Sequence, residues 1–226
     1  MSVCECAPNH FLLDESHPLA KDLYANVFSE VAPSSGRNVT RLFDVSSVTE
    51  RPMLFRKVIE FLAQRYRAMG DAGPTHILAV ESRGYLIGAP LAVELGLPLV
   101  LVRETKRFPA SFVRESQQLN ELPPSQSIRN GSVGSNARVL IVEDFVGCGR
   151  TAVSVLRLAG IVGATVVEMA AVCDAAALKG VEAIHAADGG AFRKTPIFTL
   201  MRFRADNNTL REQMMVYNPH ITASKL

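Results

Sequence analysis

The residues best placed to do chemistry lie in one stretch, 139–154, which reads Val-Leu-Ile-Val-Glu-Asp-Phe-Val-Gly-Cys-Gly-Arg-Thr-Ala-Val-Ser. An apolar run ends in two adjacent acids, Glu143 and Asp144, and a glycine-containing loop leads into a helix opening with Arg150 and Thr151. The first backbone N–H groups of a helix have no intrahelical acceptor, and the helix dipole adds positive potential there. A phosphate fits such a place. Ionised carboxylates only accept hydrogen bonds, and the hydroxyls of a ribose are donors. A sugar phosphate with free vicinal hydroxyls is therefore the ligand these residues suit, the alternative being two solvated acids ahead of an ordinary glycine turn. The Walker pattern G-x-x-x-x-G-K-[ST] is absent, which disfavours nucleoside triphosphate hydrolysis.

Placing those residues requires a sheet. Short apolar runs at 77–81, 97–102, 138–144, 164–172 and 197–201 alternate with amphipathic stretches at 84–95, 151–160 and 174–183. Continuous apolar strands separated by helices predict an α/β fold, a parallel twisted sheet covered on both faces and joined by right-handed crossovers. Two helices are predicted ahead of this core, at 15–31 and 51–69. The second carries Met53/Leu54, Val58, Phe61/Leu62 and Arg65/Tyr66 at spacings of three and four, with Thr49 as N-cap and Pro52 in its first turn. Residues 41–47 read as extended, and 70–74 close the second helix. The polar, proline-containing stretch 108–135 is expected to hold a mobile loop.

Composition bounds the rest. The chain has 226 residues, which favours one large domain with additions at its ends. Lys plus Arg total 24 against 22 Asp plus Glu, so no general polyanion-binding surface is expected and nucleic acid is not suggested. Four cysteines are too few for a disulfide scaffold, and neither they nor the five histidines show metal-ligand spacing. No apolar run approaches the ~20 residues that span a bilayer. The first ten residues lack the basic and apolar segments of a secretory leader. The last three, Ser224-Lys225-Leu226, form a peroxisomal address.

The stretch 139–154 resembles the phosphoribosyl pyrophosphate (PRPP) signature of the type I phosphoribosyltransferases. Further segments resemble the adenine phosphoribosyltransferases, in order along the chain: 43–50 (Phe-Asp-Val-Ser-Ser-Val-Thr-Glu), 80–88 (Val-Glu-Ser-Arg-Gly-Tyr-Leu-Ile-Gly), 92–98, Val102-Arg103, Leu178-Lys179-Gly180 and 196–200. The likeness runs from about residue 9 to 201 and is closest to the kinetoplastid-type enzymes. It implies the type I phosphoribosyltransferase fold over 1–226. About 1–50 would form an N-terminal extension and small hood, and about 202–226 a C-terminal tail.

The resemblance also implies roles. Ser82 and Arg83 would hold the pyrophosphate of PRPP, with Arg83 acting at the reacting group and a non-proline cis peptide falling near Glu81–Ser82. Arg103, and more weakly Arg107, would contact pyrophosphate. Glu143 and Asp144 would bind the ribose hydroxyls, and Gly147, Cys148, Gly149, Arg150 and Thr151 would cradle the 5′-phosphate. Val39, Arg41 and Phe43 match the hood over adenine, and Phe145 would stack on the base. The implied reaction joins adenine and PRPP to give AMP and pyrophosphate, with magnesium entering on PRPP and no resident metal. Family members are usually homodimers. In a kinetoplastid-type protein the terminal tripeptide implies the glycosome.

Three positions depart from the family pattern. Cys148 stands where the family usually has Thr, and a thiol is a weak donor. Arg150 replaces a Gly; related hypoxanthine-guanine enzymes have Lys there. Aligned back from Ile128, the proton-handling Glu and its neighbour become Gln117 and Gln118. An amide does not take up a proton at neutral pH, and general acid–base help is worth roughly 10²–10⁴-fold. Glu115 or Glu121 could serve instead. Reduced activity is one reading; a non-catalytic PRPP- or AMP-binding paralogue that regulates or partners an active enzyme is the other. A different base, hypoxanthine or guanine, draws on Glu143-Asp144 and Arg150 but fits the hood and the closing strand less well.

Overall fold

The computed structural model describes residues 3–31, 40–105, 112–114 and 125–204. Nine strands form one sheet: β1 (Val3–Ala7), β2 (His10–Leu13), β5 (His76–Val80), β6 (Leu99–Thr105), β7 (Phe112–Arg114), β8 (Ser125–Arg129), β9 (Arg138–Val146), β10 (Thr165–Ala175) and β11 (Ile197–Phe203). Their order is β1-β2-β11-β10-β9-β5-β6-β8-β7. The six strands from β2 to β6 run parallel; five of them match the apolar runs, and β2 is an addition that the runs did not include. Antiparallel strands close both edges: β1 beside β2, and β8 with β7 beyond β6. Two of these edge strands lie within 108–135, the stretch expected to hold a mobile loop.

Alternation along each strand sends side chains to opposite faces. Leu140 and Val142 of β9 meet α1 (Pro18–Asn26), α3 (Pro52–Arg67) and α4 (Gly84–Leu95) in one core. Val139 and Ile141 meet α5 (Arg150–Ile161) and α6 (Gly180–Gly190) in the other. From β5 the chain passes through α4 to β6 on one side. From β9 it passes through α5 to β10 and through α6 to β11 on the other. The chain thus leaves the neighbouring strands β5 and β9 in opposite directions. A crevice opens at such a point beyond the strands' carboxyl ends, and ligands of open α/β sheets bind there.

Local expectations fail where long-range pairing intervenes. The helix predicted over 15–31 stops at Asn26, because β3 (Phe28–Val31) pairs antiparallel with β4 (Thr40–Phe43) as a separate two-stranded sheet. Residues 41–47 are only partly extended: α2 (Ser46–Thr49) follows β4, with Thr49 at its end, its Oγ1 donating to Ser46 O. The N-cap of α3 is therefore Arg51, held extended (φ −112°, ψ 90°) by the ring of Pro52. The helix predicted over 174–183 starts late. Asp174 remains in β10, paired with Val146 and Arg202, and a 3₁₀ turn, Ala176–Leu178, precedes α6. Among the described residues no helix is long and apolar enough to cross a membrane.

Candidate active site

The two acids stand at the carboxyl end of β9, inside the crevice. Asp144 is 1% exposed, and its Oδ2 lies 2.8 Å from Arg83 Nε. Glu143 Oε2 and Asp144 Oδ2 are both buried; Asp144 Oδ2 faces the Arg83 guanidinium, whereas Glu143 Oε2 accepts no hydrogen bond among the described residues. Loss of water, and next the charge of Asp144, push the Glu143 carboxyl well above the ordinary carboxylate range, while Arg83 pulls it back. Buried polar oxygens normally have partners. A buried oxygen without a donor, beside a second carboxylate, suits a ligand that brings hydroxyls.

Arg83 comes from the turn between β5 and α4. The Glu81–Ser82 peptide is cis, as the resemblance implies. A Cβ added at Gly84 would lie 2.6 Å from Val142 O, so only glycine lets this turn press onto the end of β9. Ser82 is exposed at the crevice. Tyr85 donates to Val102 O at 2.9 Å, and Glu81 Oε2 accepts from the Glu104 amide at 2.7 Å, tying the turn to β6. Burial and then the Glu81 charge push the Tyr85 phenol up to about 12; the nearby Arg103 guanidinium opposes them. Arg83 and Arg103 thus sit at the same end of the sheet, on the β5 and β6 side of the acids.

On the other side of the acids runs the loop 147–149. Gly149, with φ +83°, is the N-cap of α5, and no side chain caps that helix. The first helical bond is donated by Val153 to Gly149 O, so the earlier amides of α5 lack helical acceptors. Cys148 is partly exposed, and Arg150 Nε donates to its Sγ at 3.3 Å. The cation thus folds back over the loop, and the thiol serves as its acceptor. Thr151 is exposed in the first turn.

The small sheet of β3 and β4 stands near this site. Phe43 is 5% exposed, and its ring stacks on Phe145 with centroids 5.1 Å apart. Phe43 therefore belongs to the core and backs Phe145, which stays partly exposed. Arg41 stands opposite Glu30 in the backbone register of β3 and β4. Val39, Arg107, Glu115, Gln117, Gln118, Glu121 and the terminal Ser224-Lys225-Leu226 lie outside the described residues. Among those described, no group of three or more His, Cys, Asp or Glu is arranged to hold a metal ion.

A phosphoribosyl transferase domain model matches residues 44–190, well over half of the chain. The chain belongs to the phosphoribosyltransferase family. Within it, the chain is 32% identical over 163 residues to an adenine phosphoribosyltransferase of Psychromonas ingrahamii, covering 72% of this chain and 85% of that one. It is 37% identical over 137 residues to the enzyme of that name from Edwardsiella ictaluri, covering 61% and 73%. The adenine phosphoribosyltransferase structure from Leishmania tarentolae superposes with a TM-score of 0.79 at 37% identity, covering 92% of this chain and 98% of that one. The Trypanosoma brucei enzyme, solved with AMP, pyrophosphate and ribose-5-phosphate, gives 0.78 at 32% identity, covering 89% and 87%.

The sequence reading named the acids, the loop and the arginines, but not the residues that hold them in place. Gly84, Tyr85 and Gly180 contact the loops that carry the site residues. Their only signal was membership in short motifs to which no chemistry attached.

Proposed function

We propose that this protein is an adenine phosphoribosyltransferase, which moves the 5-phosphoribosyl group of PRPP onto N9 of adenine and releases AMP and pyrophosphate. The observation that carries this reading is the buried Glu143 Oε2 without a donor, beside the Arg83-paired Asp144 on β9 and next to an uncapped helix N-terminus. The ribose hydroxyls of PRPP donate to Glu143, whose Oε2 lacks a donor among the described residues, and to Asp144 beside it. The 5′-phosphate accepts from the amides of Gly147 to Thr151. Ser82, Arg83 and Arg103 take the pyrophosphate. As its bond to C1′ breaks, the electron pair leaves with pyrophosphate, positive charge develops on the ribose, and the bond to N9 forms as the adenine proton passes to solvent water. The neighbouring carboxylates favour that developing charge. Magnesium enters on PRPP, held by phosphate oxygens and water, because hard cations prefer oxygen donors.

The purified protein is expected to form AMP from adenine and PRPP with magnesium, followed by chromatography. A folded protein giving no AMP above the blank would remove the catalytic claim. Hypoxanthine and guanine, added as competitors, are expected to leave AMP formation unchanged. Gln117 and Gln118 favour a second reading, a PRPP- or AMP-binding paralogue without turnover. It predicts saturable AMP binding with no product. If the double variant Gln117→Glu, Gln118→Tyr gains roughly 10²–10⁴-fold in rate, the loss of the proton-handling group is what limits the natural chain.

Two further parts of the reading concern the whole protein. We infer a homodimer: Leu86 and Val93 on α4 and Met53 on α3 leave large apolar side chains exposed in the single chain, and sedimentation at micromolar concentration would test it. We also infer import into a peroxisome-like organelle through Ser224-Lys225-Leu226. A fluorescent fusion that stays organellar after deletion of that tripeptide would overturn it.

A further inference from the structure

The motif Leu178-Lys179-Gly180 has no part in the chemistry above, yet it stands against the phosphate loop. A Cβ added at Gly180 would lie 2.0 Å from Gly147 O and 3.1 Å from Val146 Cγ1. In the reverse direction, a Cβ at Gly149 would lie 2.6 Å from Gly180 O and 2.9 Å from Ile184 Cγ1. One at Gly147 would meet Leu178 Cδ1 at 3.6 Å. The two loops thus touch backbone to backbone at Gly180 and Gly149, which leave no room for a side chain, whereas a Cβ at Gly147 would sit in ordinary contact. Lys179 supports this approach with a left-handed backbone, φ +52° and ψ 35°, which residues bearing a Cβ rarely adopt.

The turn is anchored at both ends. Upstream, Asp174 accepts from Thr199 Oγ1 at 3.2 Å and from Arg202 Nε at 3.0 Å. Downstream, Val181 and Ile184 are buried in the core shared with α5. A rigid turn pressed against a glycine loop fixes where that loop's amides point.

We propose that Leu178–Gly180 is a positioning element for the 5′-phosphate: Gly180 acts through Gly147 and Gly149 to hold the phosphate-binding amides in register. This rests on the reading of that loop under Proposed function. A side chain at Gly180 must displace Gly147 by about 1 Å or more to reach ordinary contact. Misplacement of that size costs a binding geometry roughly 10²-fold in favourable cases. The effect falls on phosphate recognition and leaves the base and ribose contacts in place.

The test compares AMP with adenosine, which differ only in the phosphate, by titration calorimetry. In the wild-type chain AMP is expected to bind more tightly than adenosine. Gly180→Ala is expected to weaken AMP about tenfold or more and leave adenosine within about twofold. Leu178→Ala, a half-buried position, is expected to weaken AMP about threefold with adenosine again unchanged. If Gly180→Ala does not fold, as judged by circular dichroism, Leu178→Ala decides. Variants that keep the wild-type ratio of AMP to adenosine affinity, or lose both affinities equally, overturn the positioning role. A wild-type chain that binds neither AMP nor ribose 5-phosphate overturns the loop assignment and this inference with it.

Discussion

Glu143 concentrates the conflict between folding and function in one side chain. Its carboxyl is raised above its ordinary value because burial and the Asp144 charge disfavour ionisation. A carboxyl raised in the folded state stabilises most fully below its unfolded pKa of 4.5, and that contribution is lost as pH rises through the folded value. Glu143→Gln removes this loss, so in the ligand-free protein the variant is expected to melt higher than wild type at neutral pH. The same change replaces an acceptor-only group by an amide. Charge-assisted hydrogen bonds are worth about 1.5–3 kcal/mol, so AMP affinity is expected to fall about tenfold or more. A melting scan against pH, with calorimetry on the same samples, checks both signs. A variant that neither gains stability nor loses affinity would show that Glu143 is not the strained ribose acceptor.

Among the elements, α3 and β10 are joined by an ionic cluster remote from the chemistry. Arg65 donates to both Glu168 oxygens at 2.8 and 2.6 Å, Tyr66 donates to Oε2 at 2.8 Å, and the Arg65 guanidinium lies 4.2 Å from the Phe198 ring centre. Glu168 is 2% exposed, so its charge depends on these partners. Deleting one member of a buried pair leaves the other uncompensated and costs about 3–5 kcal/mol, whereas replacing both by apolar groups often costs little. Glu168→Leu is expected to lower the urea midpoint strongly, and Glu168→Leu with Arg65→Met to recover most of it. Equal midpoints for the single and double variants would mean that the pairing contributes nothing. The amphipathic spacing of α3 was legible in the sequence, but its charged partner lies about a hundred residues away, beyond the reach of periodicity.

The whole molecule is closed by a contact between its second and its last described strands. His10 of β2 is 1% exposed, and Arg202 of β11 donates to its Nδ1 at 2.9 Å. Burial, followed by the Arg202 charge, lowers this imidazole from 6.5 to about 4; Glu182 pulls the other way and His185 adds to the lowering, while Asp174 stands 3.9 Å away. The unfolded chain therefore takes up a proton below pH 6.5 that the folded chain refuses until about pH 4. Stability from this site is full above 6.5 and is lost as pH falls through that window, by an amount on the order of 3 kcal/mol. His10→Gln is expected to flatten the stability curve between pH 6.5 and 4 relative to wild type, measured by urea unfolding at several pH values. Parallel curves for the two chains would remove His10 as the source.

The sequence by itself determined the parts of this protein that depend on neighbours along the chain. The apolar runs became β5, β9 and β10, the spacing of 84–95 became α4, and the acids followed by a glycine loop became the end of β9 and the uncapped start of α5. These are set by side-chain alternation, helix period and backbone freedom, all local properties. Only the tertiary structure decided that Arg83 faces Asp144, that Phe43 spends its ring on Phe145, that Asp174 stays in a strand, and that Gly180 abuts Gly147. Each depends on which strands lie side by side and how closely two distant turns approach. That follows from the sheet order and the burial it imposes, which no window of sequence contains.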